Sequence, residues 1–321
     1  MNHSHSSSQP NAQASHAKTS VQDILKSVRD IPALPQVVIQ VVELLNKPNS
    51  NGLQIASLIS YDPGLTSRIL RMVNSSAYGI PRQVTSIQHS IAMLGYNVVR
   101  GLVLGASICQ IFSSLHASGK TGQRMQIRQG LDLESFWRHA LLMGFFSKHL
   151  ADHFKLPEAD DVFSAGMLHN IGILILYAQS PRYDIALHSV LKQRKAGRYG
   201  VKTLEIEQLV LGFTHLELGT ELSQRWELPD LMHAVISRYA SPRVTGEKTD
   251  AAVFVVALAH QLLSAMSEVQ YHCEAITCKH LSPELLEYFQ FKDDKSVQVL
   301  CDGISPLLVE SREILKTLIG F

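Results

Sequence analysis

The residues of this chain best suited to chemistry are histidines. There are 15 of them, and four fall on apolar stripes rather than solvated faces. His139 lies between Phe136 and Met143, His215 shares a helical face with Leu218 and Leu222, and His260 sits with Val253, Val256 and Leu263. His169 follows the small residues Ala165 and Gly166, at positions that let another helix approach closely. Taken singly, each reads as a core imidazole bonded to a backbone carbonyl. Taken together, they suggest a shared cleft. Imidazole binds zinc, iron or nickel well, whereas a hydrolytic centre built on hard cations also needs carboxylates to balance charge and orient water. Here the residue after His169 is Asn170, an amide. No cofactor and no metal ion is therefore expected. A single borderline ion, if held at all, would take His139, His169, His215 and His260.

Other chemistry-bearing residues lead nowhere. Gly119-Lys120-Thr121 looks like the end of a phosphate-binding loop, but Ser114 stands where that loop needs its first glycine, and no strand precedes it. His3, His5 and His16 belong to a polar Ser/His/Gln-rich start that reads as a disordered tail over residues 1–20. That start has no apolar stretch of the kind a secretory signal requires. The four cysteines form no framework, which fits a reducing, cytoplasmic setting. The formal net charge of +1 gives no global field toward nucleic acid or anionic lipid, so neither is an expected partner. The most apolar segments, 98–112 and 251–266, are shorter than the ~20 residues needed to cross a bilayer.

The elements that must position the histidines are helical. From Ser20 onward apolar residues recur at three and four, with no convincing period-two alternation. Helix starts are marked by Ser20 with Asp23, Asn51 with Gln54, and Asp62 with Pro63. The helix opened by Asp62 turns Leu65, Ile69, Met72 and Val73 inward and Arg68 and Arg71 outward, then ends near Asn74. The next has Ile87, Ile91 and Leu94 inside and closes at Gly95. Residues 21–112 form a first bundle, and the basic, glycine-containing stretch 113–130 a linker or loop. Residues 131–266 form a second bundle that carries all four histidines, and 267–321 a short helical extension. The predicted fold is all-α, with two packed helical bundles.

Three blocks carry a family resemblance. Phe136-Trp137-Arg138-His139-Ala140, followed by Ala165-Gly166-Met167-Leu168-His169-Asn170-Ile171-Gly172, resembles the HD superfamily, whose pattern is a histidine, then His-Asp, then a distant aspartate. Tyr61 to Ser76, with Ser86-Ile87 and Ile91 to Gly95, resembles the N-terminal half of its HDOD branch. Glu207, Leu211-Gly212, Thr214-His215, Leu218-Gly219 and Trp226 to Pro229 match that branch further along. The resemblance covers residues 21–265 and implies an all-helical fold with an HD-like core in the second bundle.

It also implies where the active-enzyme pattern breaks. Asn170 replaces the paired aspartate, and His260 stands where the distant one would align. In the HD-GYP phosphodiesterases, which cleave cyclic di-GMP, a His-His pair follows the segment matching Trp226 to Pro229; here the place reads Arg238-Tyr239. The cleft implied by the resemblance is lined by His139, His169, Asn170, His215, Arg238 and His260, and lacks the means for metal-dependent hydrolysis. The expected function is that of a non-catalytic bacterial signal-transduction regulator acting on other signalling proteins, with no further domain fused to it. The alternatives are a sensor binding a nucleotide or one metal ion in the cleft, and a weak phosphohydrolase. Arg68, Arg71, Asn74, Ser75 and Tyr78 are the candidate partner-binding residues, because their helix needs nothing from its outer side to pack.

Overall fold

The computed structural model describes residues 40, 52–60, 63–74, 83–96, 98–99, 101–107, 133–179, 203–268 and 275–302. No strand occurs among them, so the fold is all-α as periodicity predicts. The first block contains α1 (Gly52–Ser60), α2 (Pro63–Val73) and α3 (Ile87–Leu94), followed by helical residues at 98–99 and 101–107. The second contains α4 (Leu133–His153), α5 (Ala159–Leu168), α6 (Ile171–Gln179), α7 (Thr203–Leu211), α8 (His215–Arg225), α9 (Asp230–Arg238) and α10 (Asp250–Glu268). Beyond it lie a 3-10 turn at Cys278–His280, then α11 (Pro283–Phe289) and α12 (Asp294–Asp302). The predicted tail and linker, Ser20, Asn51 and Asp62 lie outside the described residues.

The inward stripe of α2 is as its spacing requires: Leu65, Ile69 and Val73 are buried. Asn74 ends the helix with its side chain. Its amide nitrogen donates to the carbonyls of Leu70 and Val84 (2.8 and 2.7 Å), and its oxygen accepts from the Val84 N–H (2.6 Å). This ties the end of α2 to the strand-free segment leading into α3, where the Ser86 hydroxyl accepts from the His89 N–H as an N-cap. Gly95 closes α3 at a φ of 84°, its N–H donating to the Ile91 carbonyl.

Both blocks share one continuous apolar interior. A side chain added at Gly101 would collide with Phe163 and Ser164, and one at Gly105 with Met167, so the helical residues 101–107 lie directly on α5. Helix α5 is the hub of the second block, packed by α4, α9 and α10. It is buried at every position from Val162 to Leu168, which explains its nearly unbroken run of small and apolar residues.

Helices α6 and α8 touch backbone to backbone. A Cβ on Gly172 would stand 1.9 Å from the His215 carbonyl oxygen and 2.7 Å from the Gly219 nitrogen. Only glycine permits this crossing, and it sets the depth at which the start of α8 enters the core. Gly172→Ala is accordingly expected to destabilise the fold by about 3 kcal/mol, the upper end for overpacking. Gly212→Ala meets no neighbour and only strains a φ of 84°, so it should lose about 1 kcal/mol. Urea denaturation of the two variants measures the contrast.

Candidate functional site

The residues of the second block's polar centre come from several elements. His139 is on α4, His169 and Asn170 form the turn between α5 and α6, and His260 is on α10. The ligating nitrogens of His139, His169 and His260 all lie within 4.8 Å of one another. Their ring centroids are 5.4 Å (His139–His169), 5.3 Å (His169–His260) and 6.0 Å (His139–His260) apart. Tyr239, which follows the last residue of α9, sets its ring edge-on to His169 at 4.7 Å and to His260 at 5.1 Å.

His169 is almost fully buried, and its Nδ1 lies 2.7 Å from the Gly166 carbonyl. A carbonyl can only accept, so Nδ1 carries the proton and Nε2 is left as a lone pair. That Nε2 is buried with no hydrogen-bond partner. The imidazolium form is disfavoured at His139 and His169. Burial lowers the His139 pKa to about 4, although the ring keeps some exposed surface. Burial, then the neighbouring His260 and His139, hold His169 well below its ordinary value, outweighing the bond to Gly166.

A second chain of polar groups runs beside the first. Glu207 of α7 is buried, and its carboxylate accepts from the His215 backbone N–H (2.8 Å) and faces His215 Nδ1 at 2.8 and 2.9 Å. His215 Nε2 lies 2.8 Å from the Tyr239 hydroxyl, which donates onward to Asn170 Oδ1. His215 itself starts α8 behind a capping box of Thr214 and Glu217. Burial, and next the charge of Glu207, push the Tyr239 phenol upward, so it remains a hydrogen-bond donor.

The structure thus brings three of the four sequence-selected histidines together and separates His215, whose two ring nitrogens are already engaged by Glu207 and Tyr239. It also removes Arg238 from the cleft. That guanidinium bonds Asp250, Glu247, Thr245 and Thr249, fastening the end of α9 to the start of α10. The residue that enters is its neighbour Tyr239. One position of helix is 100°, enough to move a side chain from cleft to surface. Glu207 and Tyr239 are the functional-site residues that sequence reasoning missed. A buried carboxylate in α7 with a histidine eight residues on is a pairing that only the fold reveals. Among the partner-binding candidates, Arg71 is exposed with Nη1 on Ser67 Oγ (2.9 Å), while the amide of Asn74 is spent on Leu70 and Val84. Ser75, Tyr78 and the side chain of Arg68 lie outside the described residues.

Depressed histidine pKa values make stability depend on acid. Below the unfolded value near 6.5, the unfolded chain binds protons that His139 and His169 refuse when folded. Their contribution is complete above pH 6.5 and is lost as pH falls toward the His139 value of about 4. With a chelator present, so that only protons compete for the rings, stability should fall by a few kcal/mol, on the order of 1.4 per pH unit per group. His139→Gln should flatten part of that slope in denaturant titrations at pH 7.5, 6 and 5.

Comparison with known proteins gives this geometry a lineage. The family profile described as the HDOD domain matches residues 31–242. An uncharacterized protein of Treponema pallidum (strain Nichols) is 24% identical over 211 residues, which cover 64% of this chain and 37% of that protein. The chain therefore spans little more than a third of that relative's length. A crystal structure from Shewanella amazonensis, carrying the provisional name phosphohydrolase, superposes with a TM-score of 0.67 at 20% identity, covering 92% of this chain and 97% of that one. A protein of Marinobacter aquaeolei, provisionally named for signal transduction, superposes at 0.70 and 19% identity, covering 92% and 61%. These two likenesses establish the shared helical frame, and the profile match across most of that frame establishes that the chain belongs to the HDOD domain family.

Proposed function

We propose that this HDOD protein is a signalling regulator that does not hydrolyse phosphodiesters and acts through contacts with other signalling proteins. The observation that carries this reading is the donor set of the cleft. Among the described residues three imidazoles converge with no carboxylate in the group, and the oxygen of Asn170 is taken by the Tyr239 hydroxyl. A hydrolytic centre for hard divalent ions needs anionic oxygens that hold the cations and accept the proton of the attacking water. Imidazoles offer no negative charge to balance a hard cation, and the depressed pKa values of His139 and His169 make those two rings weak bases. The names of structural neighbours point both ways, one toward phosphohydrolase and one toward signal transduction. The donor set favours the second.

The decisive assay offers cyclic di-GMP and a chromogenic phosphodiester to purified protein loaded in turn with magnesium, manganese, iron(II) and zinc. Rates should stay at background, and Asn170→Asp should not raise them, because His260 still occupies the second carboxylate position. A rate that is lost in His169→Ala overturns the proposal. The partner-facing arm rests on the exposed Arg71 with Arg68 one turn before it on α2; Asn74 is withdrawn from it as a structural clamp. Arg68→Glu with Arg71→Glu should leave stability within about 0.5 kcal/mol, as for other surface changes, while abolishing capture of the cognate signalling protein.

A further inference from the structure

We infer that His139, His169 and His260 form a binding site for one borderline divalent transition-metal ion, of which zinc and cobalt(II) are the working probes. The site is a departure from the carboxylate-bearing centre that the HD resemblance implies. Its residues do not fit a hard-metal hydrolytic pair, and they do fit a single ion of the softer class.

Four observations converge. The three rings come from α4, the α5–α6 turn and α10, so their meeting is a product of tertiary packing and not of helical repetition. All three ligating nitrogens lie within 4.8 Å of one another, close enough for small side-chain rotations to bring them round a common ion. At a metal–nitrogen distance of about 2.0–2.1 Å, tetrahedral ligands stand roughly 3.3 Å apart. His169 is already arranged as a ligand: Nδ1 is held at 2.7 Å by the Gly166 carbonyl, which fixes the tautomer, and the buried Nε2 has no partner. A purely structural core would fill this volume more cheaply with apolar side chains, since a buried polar atom left unpaired is a net loss.

Ligand chemistry decides the class of ion. Neutral nitrogens without an anionic oxygen favour zinc, cobalt, nickel or iron(II) over magnesium and calcium. His215 supplies no fourth nitrogen, because Glu207 and Tyr239 engage both sides of its ring. Three protein ligands leave a fourth position, and a dication among neutral groups draws an anion or a water to it. Tyr239 and the Glu207–His215 pair behind it are positioning residues that hold one wall of the site.

The test uses the whole 321-residue chain, stripped with chelator and carrying His3→Ala, His5→Ala and His16→Ala so that these N-terminal histidines cannot contribute. Competition against a chromophoric zinc indicator should give one ion per chain, with no competition from a large excess of magnesium. Cobalt(II) should produce the strong visible absorption of a four-coordinate site. His169→Ala and, separately, the near-isosteric His139→Gln and His260→Gln should each weaken zinc by roughly tenfold or more. Circular dichroism and melting of each metal-free variant identify any that fail to fold, and the remaining variants then decide. Absence of stoichiometric zinc, or zinc affinity unchanged in the folded variants, overturns the site. Neither result touches the proposed lack of hydrolysis, and a zinc-dependent rate would overturn that proposal while leaving the ion site standing.

Discussion

A carboxylate buried in a helical core has to be answered by donors, and the way Glu207 is answered organises the second half of this protein. Its oxygens are met by the backbone and ring of His215, the ring reaches Tyr239, and Tyr239 reaches Asn170. One chain of bonds therefore runs from α7 through the start of α8 and the end of α9 to the turn between α5 and α6. Breaking any link strands a buried polar group, at a loss on the order of 1–3 kcal/mol for a neutral group and more for a charge. The glycine contact at Gly172 and Gly219 serves the same end, since it allows His215 to sit deep enough for its ring to reach Tyr239.

That chain also determines what the neighbouring cluster is free to do. By engaging the Asn170 oxygen and the Tyr239 hydroxyl it withdraws those polar atoms from the three histidines, and it occupies both ring nitrogens of His215. What remains at the cleft is three imidazole rings, with the buried Nε2 of His169 unpaired. The electrostatic character of an HD-type centre is inverted. Where paired aspartates would attract two cations and polarise water, His139 and His169 resist protonation, and His169 presents the lone pair of its Nε2. On the readings proposed above, a lack of hydrolysis and a softer binding site would both trace to the same two residues, Asn170 and His260.

The first block meets a different requirement. Its helices bury their apolar stripes against a core shared with α5, and Asn74 stitches α2 to the segment before α3. Among the described residues, Leu65, Ile69 and Val73 of α2 are buried on its inner side and Arg71 is exposed on the other, where recognition is proposed. The proposed recognition face on α2 and the imidazole cleft of the second block are joined by one continuous interior, the arrangement through which the proposed regulator would work.

The sequence by itself determined the helical class, because a 3.6-residue apolar period is a local property that survives any arrangement of neighbours. It also determined the inward stripe of α2 and the Gly95 stop of α3, and its resemblance to the HD superfamily implied that Asn170 and His260 stand where metal-holding acids would. Only the tertiary structure decided which histidines meet. His215 and His260 occupy equally apolar stripes, yet one is consumed by Glu207 and the other joins His139 and His169. The same holds for Arg238 and Tyr239, adjacent in the chain and assigned to surface and cleft by a 100° turn. Periodicity gives each residue a face; it does not say which faces are brought together, because that depends on helix crossings set by contacts such as Gly172 on His215, between residues far apart in sequence.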